Sequence, residues 1–185
     1  MKQLSAHQFS KVYKDLSIDL DTLGCVMLDV ESIAPPALDI ELYYAKNKAR
    51  FWINGWVADE TPHITLLYGL LDKDYNWEGH IKTVLSDWVA EEIEIESIGH
   101  FDSPYQDEEY YCIVAHIKPT DELLEGHKRL EFLPHVNTFT GYKPHVTLCY
   151  IKKDLQKRNE LLKALNQKLS GKKLAIKQLN LGDHD

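Results

Sequence analysis

No apolar run in this sequence approaches the roughly 20 residues needed to cross a bilayer. The opening Met1-Lys2-Gln3-Leu4-Ser5-Ala6-His7 carries no hydrophobic targeting segment. A cytoplasmic protein without membrane contact is expected. Cysteine is scarce and odd in number: Cys25, Cys112 and Cys149 each sit in an apolar, strand-like run. That argues against a disulfide framework and for buried thiols in a reducing compartment. A basic excess is also lacking, since 21 Lys and Arg face 29 Asp and Glu for a net charge of −8. Sequence-blind binding to long nucleic acid relies on a broad basic surface that displaces counterions. Any phosphate chemistry is therefore expected in a small local pocket, on a short or compact substrate. There is no H-E-x-x-H, C-x-x-C or acidic EF-hand loop, no G-x-x-x-x-G-K-[ST] and no G-x-S-x-G. Neither a metal nor a cofactor is expected.

What is present builds a folded protein. In 185 residues, 44% are apolar, with ten Tyr, five Phe and four Trp to fill a core. Residues 1–20 have apolar residues at roughly helical spacing and read as a leading helix. Gly24 to Val30 reads as a buried strand. Residues 31–60 form a polar and aromatic stretch without a clear period. Pro62 to Tyr68 reads as a strand stopped by Gly69. Residues 77–90 place Trp77, Ile81, Val84, Leu85, Trp88 and Val89 at helical spacing, so both tryptophans are expected in packing. Strands are expected over Glu94 to Phe101 and Tyr110 to Lys118. A helix is expected over Asp121 to Leu133 with Thr120 as its N-cap. A strand from Pro144 to Ile151, a helix from Asp154 to Ser170 ending before Gly171, and a strand from Lys173 to Leu181 complete the chain. Many strands with interspersed helices indicate α+β with a largely antiparallel sheet.

The most informative feature is an internal echo. Residues 62–68 read P-H-I-T-L-L-Y and residues 144–150 read P-H-V-T-L-C-Y, in register and 82 positions apart. Such repetition marks pseudo-symmetric structures, here two lobes that each supply one such strand. Side chains alternate faces along a strand. His63, Thr65 and Leu67 are thus expected on one face, and Ile64, Leu66 and Tyr68 on the other. The second copy divides likewise, with His145, Thr147 and Cys149 opposite Val146, Leu148 and Tyr150. Tyr68 and Tyr150 are accordingly read as structural. A single H-x-T tripeptide is weak, because a strand histidine is often a satisfied core residue. Duplication favours function, since a purely structural repeat would preserve apolar residues rather than His and Thr. Two imidazoles facing one cleft suit phosphodiester cleavage. One takes a proton from the attacking oxygen and one gives a proton to the leaving oxygen, both feasible near an ordinary pKa of about 6.5. Threonine hydroxyls one strand-step away are placed to bind non-bridging phosphate oxygens.

On these motifs, His63-Ile64-Thr65 and His145-Val146-Thr147, the chain resembles the 2H phosphoesterase superfamily, whose hallmark is two H-x-[TS] motifs. Gly24 to Val30, Ile98-Gly99-His100-Phe101 and Gly141-Tyr142-Lys143 resemble its flanking segments. The similarity covers roughly residues 22–181, and residues 31–60 depart from it as a longer, aromatic insert. The resemblance implies one bilobal α+β domain over 1–185, with two pseudo-symmetric lobes of mainly antiparallel sheet flanked by helices and the active site in the groove between them. It implies a metal-independent phosphodiesterase with His63 and His145 as acid and base and Thr65 and Thr147 on the phosphate. The expected substrate is a small nucleotide, cyclic or oligomeric. Family analogy extends to RNA end-processing, to 2′-5′ RNA ligase-like enzymes and to phage nucleases that remove cyclic-oligonucleotide immune signals. A non-catalytic nucleotide-binding module is the third reading. Trp52, Trp56, Tyr105 and Tyr142 are candidates for stacking on bases, and Lys143 for local positive charge. His100 is a candidate for the groove rim. The other histidines, His116 and His127 among them, lack motif context.

Overall fold

A computed structural model describes residues 23–33, 62–102, 110–136 and 141–183. The leading segment 1–20, most of the 31–60 insert, and Trp52, Trp56 and Tyr105 lie outside the described residues. Six strands follow in chain order: β1 (Gly24–Val30), β2 (His63–Leu70), β3 (Glu92–Asp102), β4 (Tyr110–Ile117), β5 (His145–Lys152) and β6 (Lys173–Asp183). Among the described residues three helices are interspersed: α1 (Glu78–Val84), α2 (Asp121–Leu130) and α3 (Leu155–Leu169). All pairings are antiparallel, in the order β2-β1-β6-β3-β4-β5. The expected α+β class with antiparallel sheet is what forms. Among the described residues no helix is long and apolar enough to cross a membrane.

The helices begin where their sequences provide caps. Thr120 accepts from the Leu123 N–H and Asp154 from the Lys157 N–H, each satisfying a donor that the first turn leaves open. The first helix is shorter than its periodicity suggests. Trp77 at its N-cap makes no side-chain cap, and the chain turns out of the helix at Leu85. Both tryptophans are used in packing, as expected. The Trp77 indole donates to the Leu71 and Asp72 carbonyls, and Trp88 donates across to the Glu122 carbonyl at 2.7 Å.

The sheet divides where β6 leaves β3. Their ladder covers only Glu92 to Glu94 on β3, after which β6 continues along β1. One edge of β3 is thereby left open, and α3 closes it. Asn166 on α3 accepts from the Ile98 N–H at 2.8 Å and donates to the Ile98 carbonyl at 2.9 Å, as a neighbouring strand would. Asn166→Leu keeps the volume and removes both partners. Each stranded backbone group costs about 1–3 kcal/mol, so urea unfolding should show a loss of roughly 2–6 kcal/mol.

A flat six-stranded sheet would hold its edge strands about 24 Å apart at the usual spacing. Here Cα atoms of the two edges, β2 and β5, come within 8 Å. The sheet is folded on itself, and the two strands that carry H-x-T face each other. The apolar core, including Leu28, Ile64, Leu66, Ile113, Val146 and Leu148, fills the opposite side. There α2 lies against β2 and α3 against β3.

Candidate active site

The two lobes repeat at the level of single residue pairs. In lobe 1 the pairs are Cys25 with Tyr68, Val26 with Leu67, Met27 with Thr65, Leu28 with Ile64 and Asp29 with His63. In lobe 2 they are Cys112 with Tyr150, Ile113 with Cys149, Val114 with Thr147, Ala115 with Val146 and His116 with His145. Each ladder opens with the same backbone bond, Val30 N–H to the Pro62 carbonyl and Ile117 N–H to the Pro144 carbonyl. The H-x-T tripeptides thus occupy equivalent positions. His63, Thr65, His145 and Thr147 are each half-buried, between fully buried neighbours.

Both ladders slip at the same point, leaving Leu66 and Leu148 as extra residues. Such a bulge puts two consecutive side chains on one side and shifts the alternation beyond it. Leu66 with Leu67, and Leu148 with Cys149, are accordingly all buried. The next residues, Tyr68 and Tyr150, return to the histidine face. In lobe 2 the contacts confirm this, because the Cys112 thiol hydrogen-bonds with both the Tyr150 and the Thr147 side chains. Simple alternation, which placed Leu67 and Cys149 with the histidines and the tyrosines opposite, is corrected here. The Cys112 thiol is pushed up to about 11, chiefly by burial, with the two hydrogen bonds opposing. It is a neutral partner for the Thr147 hydroxyl rather than a nucleophile.

The lobe 1 bulge is sealed by His127, whose Nδ1–H donates to the Leu66 carbonyl at 2.6 Å. Tyr142 stacks on the same imidazole, with centroids 4.2 Å apart and planes 8° from parallel. Its hydroxyl is buried and lacks a partner among the described residues. Tyr142 is therefore committed to packing between the approach to β5 and α2, not presented as a platform for a base. Lys143 is exposed, and its charge acts on His116. His100 is on the helix side of β3, where Tyr111 meets it edge-on and Arg158 donates to its Nε2 at 3.0 Å. It does not form part of the groove rim.

The groove contains more than the motifs foretold. Phe101 meets His145 edge-on, with centroids 5.0 Å apart, and contacts His116 at 5.8 Å. Asp29 is the one described polar or charged residue that is fully buried, and its Oδ2 accepts from Gln178 Nε2 at 2.7 Å. His116 and Asp29 stand on plain strands without motif context, and only the pairing register brings them beside His145 and His63. His145 donates Nδ1–H to the Lys143 carbonyl at 2.9 Å. Its pKa lies below the ordinary histidine value. Burial is the main cause, the Lys143 carbonyl opposes it, and the charges of His116 and His63 lower it further. His63 and His145 are thus close enough to feel each other's charge. Among the described residues no group of three or more His, Cys, Asp or Glu is placed to hold a metal ion.

Comparison with known proteins agrees with this geometry. The profile of the 2′-5′ RNA ligase superfamily matches residues 35–185. Among solved structures, Kluyveromyces marxianus Usb1 superposes with a TM-score of 0.51 at 10% identity, over 89% of this chain and 95% of that one. At that identity the likeness concerns the fold alone. No curated protein matches in sequence. With the profile covering most of the chain and two H-x-T strands at equivalent places in two lobes, this protein belongs to the 2′-5′ RNA ligase superfamily, the 2H phosphoesterases.

Proposed function

We propose that the protein is a metal-independent phosphodiesterase that cleaves a small nucleotide diester, cyclic or a short oligonucleotide, by two-histidine acid–base chemistry. The observation that carries this reading is the equivalence of the His63 and His145 strand positions across a sheet folded until β2 meets β5. One imidazole removes the proton of the attacking hydroxyl, a ribose 2′-hydroxyl or water. The other protonates the departing ribose oxygen. Thr65 and Thr147 donate to the non-bridging oxygens and hold the phosphorus between the rings. The net charge of −8 supports a compact substrate over a long polyanion. Removal of cyclic-oligonucleotide signals is one form this activity takes.

A second reading is favoured by the name of the matching family. The same groups run in reverse would join a 2′,3′-cyclic phosphate end to a hydroxyl as a 2′-5′ link. The test is incubation of the purified chain with EDTA and a panel of cyclic dinucleotides, cyclic trinucleotides, 2′-5′ dinucleotides and cyclic-phosphate-ended RNA. Turnover of at least one small diester without added metal is expected. Products lengthened rather than shortened would favour ligation. Binding without turnover of any member would leave a non-catalytic nucleotide module, and a strict metal requirement would remove both catalytic readings.

A further inference from the structure

The two lobes match closely around the motifs but differ at one decisive pair. Across the ladder from His145 stands His116, and at the equivalent place across from His63 stands Asp29. Side chains directly opposed on antiparallel strands hold their Cβ atoms about 4.5–5.5 Å apart. Each motif imidazole therefore has one ionisable cross-strand neighbour, and the two neighbours have opposite charge when ionised. Neither neighbour is incidental. Asp29 is buried and anchored by Gln178 on β6. His116 lies over Gly99, where an added Cβ would stand 2.4 Å from its Nε2, so the missing side chain makes room for the ring.

Resting on the phosphodiesterase reading above, we propose that His145 is the general base and His63 the general acid, with His116 and Asp29 as the positioning residues that set this division. A base must be neutral and must present a lone pair. The Lys143 carbonyl can only accept, so it holds the proton of neutral His145 on Nδ1 and leaves the lone pair on Nε2. The groups around this ring oppose a second proton. They are His116 on β4 and His63 on β2, whose charges act together with the burial of the ring. The His116 pKa is itself lowered mainly by burial, with Glu96 opposing and Lys143 and His100 assisting. An acid must arrive protonated, and an imidazolium is stabilised by an anion at short range and opposed by a cation. The only acid across the ladder from either motif histidine is Asp29, beside His63.

The step balances. His145 Nε2 takes the 2′-hydroxyl proton as that oxygen bonds to phosphorus. The bond from phosphorus to the 5′-oxygen breaks, and the departing oxygen takes its proton from His63. Proton exchange with water resets both rings. An acid can be dispensed with when the leaving group needs no proton, whereas a base cannot.

The experiment compares uridine and adenosine 3′-(4-nitrophenyl phosphates) with the matching dinucleotides, on wild type, His63→Ala and His145→Ala. His63→Ala should lose at least about 100-fold on dinucleotides and less than about 10-fold on nitrophenyl esters, while His145→Ala loses at least about 100-fold on both. The reverse pattern, or equal losses on both esters for both variants, overturns the assignment while the phosphodiesterase reading stands. Wild type inert on all four esters overturns this inference, whereas the phosphodiesterase reading falls only if the cyclic and 2′-5′ diesters of the panel above are inert as well. A separate readout addresses the positioning residue. His116→Asp copies lobe 1 onto lobe 2, and an NMR titration should show the His145 midpoint moving to higher pH, as should the acidic limb of kcat/KM. A midpoint that stays in place in both His116→Asp and His116→Gln overturns the role of His116.

Discussion

His63→Ala and His145→Ala should each reduce turnover of the preferred natural diester by about 10²–10⁴, the range a positioned acid or base contributes. If the two rings act on one phosphorus as a unit, the double variant should lose little more than the worse single one. The fold should survive, since both residues are half-buried on the groove side while the core lies on the other face of β2 and β5. Circular dichroism and the urea midpoint check this. A variant that retains wild-type rates on every substrate of the panel would show that its imidazole takes no part. For wild type, the acidic limb of the pH profile should fall below the ordinary histidine pKa of about 6.5. A base with a depressed pKa stays neutral as the pH drops, so activity is retained until the pH passes through that lowered value.

A large stability effect is expected far from the chemistry, at Gly69. Its φ is +87°, and a Cβ there would lie 2.3 Å from the Val136 carbonyl oxygen. That carbonyl is backbone, in a segment fastened to β2 by Val136 N–H to the Gly69 carbonyl at 2.8 Å and Leu71 N–H to the Pro134 carbonyl at 3.0 Å. Gly69→Ala therefore combines left-handed strain of about 1–3 kcal/mol with displacement of a paired strap. A loss of roughly 3 kcal/mol would lower Tm by about 6–12 °C in a chain of this size. An unchanged Tm would mean the strap moves without cost. Because the strap covers the outer edge of β2, its displacement should also reduce turnover without altering the pH profile.

Gly69 also shows where linear reading stops. Beside an apolar run it reads as a strand terminator, yet β2 continues through it to Leu70 and the glycine instead admits a second backbone. The tyrosines illustrate the same limit. Strict alternation puts Tyr68 and Tyr150 behind the sheet, and one extra residue in each ladder brings them to the front. A bulge depends on which residue of another strand stands opposite, and no local pattern encodes that. Tyr142 beside the second motif suggested a stacking platform by proximity in sequence. Its partner proved to be His127, some fifteen positions earlier, on a helix packed under the other lobe.

Much was nevertheless decided locally. Thr120 and Asp154 start their helices because their side chains reach N–H groups three residues on. The H-x-T strands form because β-branched and aliphatic residues alternate with polar ones, and their duplication points to the family. Tertiary structure alone decided that these strands meet, because closing a six-stranded sheet until its edges touch is a property of the whole ladder. It also decided that two near-identical motifs differ electrostatically. His63 has a buried Asp29 side chain across its ladder and His145 has a second imidazole, and those neighbours are set by strand register, since charge acts through space and not along the chain.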